Sequence, residues 1–160
     1  MKKTIKTGSF ILCMALFSHI AISAEKVTCK EEVNNVNASL SQKGSPVINN
    51  VADFTATLQT LNATGRLPDK YITSIQAKHL GWSGAETETL WGLKLTNNKW
   101  IGGDSYQHKS LPANAKWYSA DVDVNRGYRS NKRLIYTLSS QMRFYTPDNY
   151  QNFVEISPCQ

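Results

Sequence analysis

Nine of the eighteen Lys and Arg side chains fall between residues 94 and 143, where only three acids accompany them. That stretch alone carries +6, and clustered cations of this kind attract anionic partners, phosphates above all. Side chains able to move a proton near neutral pH are few. His79 and His108 are the two candidates outside the N-terminal apolar run. Cys29 and Cys159 lie near the two ends of the chain. In an oxidising compartment such a pair is expected as a disulfide, with two free thiols as the alternative. Without histidine neighbours they make a poor metal site, and the sequence calls for no cofactor and no metal.

Elements have to position these groups, and the first segment does not contribute one. Residues 1–23 read as a secretory signal peptide. Lys2, Lys3 and Lys6 form the basic start, Phe10 to Phe17 the apolar centre, and Ala21-Ile22-Ser23 the small-residue end. Cleavage would remove three of eighteen basic groups and no acid, lowering the formal charge from +6 to +3. The expected location is outside the cytoplasm, in a periplasm or the medium. No apolar run reaches the 18 or so residues of a membrane span, and 41% hydrophobic with 19% charged residues excludes wholesale disorder. Length allows one domain.

Residues 24–46 are polar and end in Gly44-Ser45-Pro46; they read as an N-terminal extension whose Val33, Val36 and Leu40 spacing permits a short helix. Residues 47–160 read as the domain proper. Val51, Phe54, Leu58 and Leu61 recur at helical spacing. Thr73 and Gln76 form a Thr-x-x-Gln capping box opening a second short helix that ends at Gly81. Beyond Trp82, glycines punctuate the chain and alternation takes over. Strands are expected at 116–124, 133–138, 142–146 and 150–156. In the first of these Tyr118 and Ala120 point one way, Trp117, Ser119 and Asp121 the other. Helices followed by antiparallel strands make an α+β fold, with the helices packed on one face of a C-terminal sheet and the other face open for a site.

Several short motifs then fall in one order: Leu67-Pro68-Asp69-Lys70-Tyr71-Ile72-Thr73, Leu80-Gly81-Trp82, Ile101-Gly102-Gly103-Asp104, Leu111-Pro112, and Trp117 with Ala120-Asp121. Gly127-Tyr128-Arg129, Arg133-Leu134-Ile135-Tyr136 and Asp148-Asn149-Tyr150-Gln151 complete the series. Over residues 51–156 the chain resembles the barnase-like family of secreted guanyl-specific bacterial ribonucleases. The resemblance implies the microbial ribonuclease fold and metal-independent cleavage of RNA by transesterification to a 2′,3′-cyclic phosphate. A glutamate takes the proton of the attacking 2′-hydroxyl, a histidine protonates the leaving 5′-oxygen, and arginines stabilise the phosphorane.

The chain departs from that pattern at the reacting positions. The glutamate falls at Ser119 and the histidine at Asn149, the register of each fixed by its flanking matches. Serine has no basic form near neutral pH, and asparagine cannot donate a proton to an alkoxide. The family's active-site lysine falls at Ser74. Its guanine-reading loop is two residues shorter, leaving Tyr106, Gln107, His108 and Lys109 as candidate substrate contacts with Tyr150. Arg129 and Arg133 match the family's phosphate-binding arginines and Asp121 the acid that holds them, with Asp104 as a further structural acid. Two readings of Arg129, Arg133 and Asp121 stand side by side: a phosphate site, or a network retained for folding. His108 is the better placed histidine for a replacement acid, His79 a helix-end residue. The implied function is an RNA-directed family member of weak or absent activity. The alternative is a non-catalytic binder of RNA, another polyanion or an inhibitor-type protein, and under either reading a monomer is expected.

Overall fold

The computed structural model describes residues 26–160; the signal-peptide expectation for residues 1–23 lies outside them. Thr28 opens α1 (Cys29–Gln42) with a reciprocal cap: its hydroxyl accepts from the Glu31 N–H while the Glu31 carboxylate accepts from the Thr28 N–H. Val33, Val36 and Leu40 line its buried face. The polar stretch is thus a full helix packed into the main core, where the spacing of three residues had permitted a short one. Asn37 fixes the connection that follows, donating to the Ile48 carbonyl at 2.9 Å and accepting the Ile48 N–H at 2.8 Å. Asn50 caps α2 (Val51–Thr64), which ends at Gly65 with φ 68°, the left-handed turn glycine takes without strain.

Tyr71–Ile72 forms the short β1, followed by α3 (Ser74–His79), which carries the expected Thr73–Gln76 capping box. A 3-10 turn at Leu90–Gly92 leads to β2 (Trp100–Tyr106), β3 (Trp117–Asp121), β4 (Arg133–Thr137), β5 (Arg143–Thr146) and β6 (Val154–Ile156). The six strands pair in sequence order; β1 runs parallel to β2 and every other pair is antiparallel. This is the expected α+β architecture.

Packing follows the strand alternation. α1 and α2 bury Val33, Leu40, Phe54, Leu58 and Leu61 against Ala120, Leu134, Tyr136, Tyr145 and Ile156 of one sheet face. A fully buried aliphatic or aromatic side chain contributes roughly 1.5–3 kcal/mol, so this layer dominates stability. A smaller cluster joins α3 to Trp82, Leu90 and Ile101. On the opposite face Trp117, Ile135 and Leu111 pack with Tyr106, Phe144, Tyr150 and Phe153. Cys29 and Cys159 are bonded, and backbone hydrogen bonds Cys29 to Gln160 and Gln160 to Val27 reinforce the junction. The disulfide is therefore realised, not the pair of free thiols.

Two strand expectations shift. The β3 segment stops at Asp121 instead of running to Val124, because Asp123 takes φ 54° and turns to hold the chain before α2. Its carboxylate accepts the N–H groups of Asn49 and Asn50 at 2.8 and 2.9 Å and meets Lys132 at 2.7 Å. The last strand starts at Val154 instead of Tyr150, since Asn149 and Tyr150 have φ of 53° and 70° and form a turn.

Candidate functional site

The sheet face away from α1 and α2, expected to lie open, is covered where Leu111, Tyr106, Tyr150 and Phe153 pack on it. It holds Trp117, Ser119 and Asp121 buried on the same side of β3. Opposite Asp121, in register on β4, stands Arg133. Asp121 and Arg133 are each 1% exposed, so the carboxylate needs cationic partners and has two. Arg129 grips it bidentately, Nε to Oδ2 at 2.8 Å and Nη2 to Oδ1 at 2.9 Å. Arg133 Nε lies 3.1 Å from Oδ1 but is not aligned for a hydrogen bond, so that contact is coulombic. Its Nη1 donates instead to the carbonyls of Ser130 and Lys132, the latter at 2.8 Å.

A short turn supports Arg129. Asn125 and Tyr128 exchange backbone hydrogen bonds across Arg126 and Gly127. Gly127 sits at φ 80°, and a Cβ there would meet Thr89 Oγ1 at 2.5 Å and the Trp91 ring at 2.6 Å. Glycine lets the 89–91 segment press on this turn, where Thr89 Oγ1 donates to the Arg126 carbonyl at 2.6 Å and the Leu90 N–H to that of Gly127 at 3.1 Å. Burial would lower the pKa of Arg129, but hydrogen bonds to Asp121, its charge and that of Glu86 reverse the effect and raise it. Arg129 is a permanent cation.

Ser119 is buried between Trp117 and Asp121, paired across the strands with Ile135 and Asp104. Asn149 sits in a turn built by Asp148, which accepts the Asn152 N–H at 2.8 Å and its side-chain amide at 2.6 Å. The Asn149 N–H donates to the Asn131 carbonyl at 2.7 Å, tying this turn to the arginine segment. Ser74 stands over Asp104: its N–H donates to the carboxylate at 2.8 Å and its hydroxyl to the other oxygen. Asp104 is thus satisfied by the start of α3.

The shortened loop after β2 forms an aromatic row. Tyr106 stacks on Tyr150 with centroids 4.4 Å apart and planes 18° apart. The His108 ring lies parallel to Tyr106 at 6.3 Å and tilted against Phe153 at 5.1 Å. His108 Nδ1 accepts the Ser110 N–H at 3.2 Å, which leaves Nε2 to carry the proton of the neutral ring. Gln107, His108 and Lys109 wall a pocket of about 410 Å³ floored by Leu111 and Trp117. Burial, with Tyr150 next to it, raises the pKa of Tyr106. His79 is exposed at the end of α3.

Arg129, Arg133 and Asp121 are therefore one cluster, and Tyr106, His108 and Tyr150 another; the Asn131–Asn149 hydrogen bond joins the segments that carry them. Sequence reasoning missed Glu86, whose Oε1 lies 3.4 Å from Arg129 Nη1 and 4.0 Å from Arg133 Nη2. It also missed Phe153 in the aromatic row. Glu86 belongs to a glycine-punctuated stretch with no periodicity, so only the charge excess opposite it offered a signal.

No family model matches the chain. Over 95 residues it is 35% identical to a protein named Ribonuclease from Heyndrickxia coagulans, covering 57% of this chain and 84% of that protein. It is equally 35% identical over 95 residues to proteins of the same name from Bacillus intermedius and Bacillus pumilus. The match spans 56% of each of those two, little more than half their length.

Proposed function

Because this chain belongs to the barnase-like ribonuclease family, we propose that it is an RNA-directed member that binds phosphodiesters at Arg129 and Arg133 and cleaves them weakly or not at all. One observation carries the reading. The two guanidinium groups are set around a buried Asp121; the reading adds, from the sequence resemblance, that Ser119 and Asn149 stand in for the family's base and acid. Arginines so placed neutralise a phosphate and favour the extra charge of a phosphorane. Neither serine nor asparagine supplies the proton transfers, each worth about 10²–10⁴-fold. The aromatic row of Tyr106, His108 and Tyr150 offers ring faces to a base, a sequence-tolerant contact. Secretion fits the disulfide, which persists in oxidising surroundings.

The test is a cleavage assay on the oxidised protein from residue 24 onward, beside a Ser119→Glu/Asn149→His variant, with detection of 2′,3′-cyclic phosphate ends. RNA binding by both proteins with cleavage confined to the variant, or far faster in it, is the expected outcome. Equal cleavage by the two would overturn the reading. So would RNA binding that does not weaken with added salt, because phosphate contacts release counterions.

A further inference from the structure

The arginine cluster is already provided with an anion of its own. Glu86 is 63% exposed at its side chain, yet a single oxygen, Oε1, approaches the outward nitrogens of both arginines, Nη1 of Arg129 at 3.4 Å and Nη2 of Arg133 at 4.0 Å. The inward nitrogens are spent on Asp121 and on backbone carbonyls. An oxygen shared between the two outward nitrogens is where an oxygen of a bound phosphate would sit. We propose that Glu86 is a tethered counter-anion of this site, which an incoming phosphate must displace, and so a residue that sets how tightly the site holds its ligand. The proposal rests on the phosphate reading of Arg129 and Arg133 given above.

The loop geometry delivers Glu86 to that position. Ser83 and Glu88 close the 83–88 loop on itself: the Ser83 N–H and hydroxyl both donate to Glu88 Oε2, the first at 3.3 Å, and the Glu88 N–H donates to the Ala85 carbonyl at 3.1 Å. Just beyond, Thr89 and Leu90 are bonded to Arg126 and Gly127, two to three residues before Arg129. The carboxylate and the guanidinium are therefore carried on segments fastened to each other. Charge counting gives the motive. Two arginines and Asp121 sum to one net positive charge, and Glu86 cancels it. Stability gives no comparable motive, since an exposed ion pair contributes little to folding.

Titration of the oxidised protein with inorganic phosphate, and separately with a short single-stranded RNA, at fixed ionic strength tests this. Glu86→Gln and Glu86→Ala are compared with wild type, and Glu155→Gln serves as a control that removes the same charge from exposed β6, away from the arginines and from the 83–88 loop. Both Glu86 variants are expected to bind about two- to fivefold tighter than wild type, the range of one exposed ion pair, with Glu155→Gln unchanged. Equal tightening in the Glu155 control would overturn the proposal by reducing it to net charge. Unchanged or weaker binding in the Glu86 variants would overturn it while leaving the phosphate site standing. Absence of binding by every variant would overturn the phosphate reading itself, and this proposal with it.

Discussion

The backbone N–H of Asn149 donates to the carbonyl of Asn131 at 2.7 Å, so the turn that carries Asn149 is fixed to the segment between Arg129 and Arg133. Asn149 holds φ 53° to make that bond. The left-handed region is tolerated by asparagine and histidine and resisted by β-branched residues. Asn149→His is therefore expected to fold with a nearly unchanged Tm, whereas Asn149→Val should lose about 1–3 kcal/mol in urea unfolding.

Combined with Ser119→Glu, the histidine is expected to raise RNA cleavage about 10²-fold or more, with the two gains interdependent. Initial rates on a dinucleotide and on polymeric RNA measure it. Under the proposed transesterification, the products of the variant carry 2′,3′-cyclic phosphate ends.

Asp121 compensates two buried or half-buried guanidinium groups. Asp121→Ala leaves Arg133 and Arg129 facing each other, and loss of one partner of a buried ion pair costs about 3–5 kcal/mol. A fall of that size in unfolding free energy is expected, together with weaker phosphate binding because Arg129 loses its bidentate anchor.

Asp123 gives stability a defined pH dependence. Burial alone would raise its pKa, but hydrogen bonds from Lys132, Asn49 and Asn50 outweigh that and hold it below the usual value. A depressed folded-state pKa contributes stability that is fully present above the unfolded value of about 3.9 and is lost as pH falls through the folded one. Acid unfolding of wild type below about pH 4 should accordingly be steeper than that of Asp123→Asn.

Gly102 lies where β1, β2 and β3 press together. A Cβ there would meet Tyr71 at 2.5 Å, Leu67 at 2.9 Å and Ala120 at 3.1 Å. Gly102→Ala is expected to cost about 1–3 kcal/mol by overpacking, read as a lower urea midpoint at constant m-value.

Local signals made much of this fold legible in the sequence. The Thr73–Gln76 box, the helical run from Val51 to Leu61 and the alternation around Ala120 each depend on neighbours within a few residues, and each is present. β2 escaped because Gly102 and Gly103 interrupt its alternation and a register shift lies between Gly102 and Asp104. The turn at Asn149 and Tyr150 escaped for a different reason: two consecutive non-glycine residues at positive φ have no sequence signature, and part of what holds them, the bond to Asn131, comes from a distant segment. Arg129, Arg133 and Asp121 could be singled out only through family resemblance. The fourth member of the cluster, Glu86, reaches them from 43 residues upstream of Arg129, a distance no spacing rule spans.

Joining Cys29 to Cys159, 130 positions apart, turns nearly the whole described chain into a covalent ring. A single cut by a protease in the exposed stretch around Asn114 would open that ring into one linear molecule without releasing a fragment. Strands on either side of the cut would remain tethered through the far side of the fold. A nicked copy would keep every residue of the arginine cluster on the same molecule.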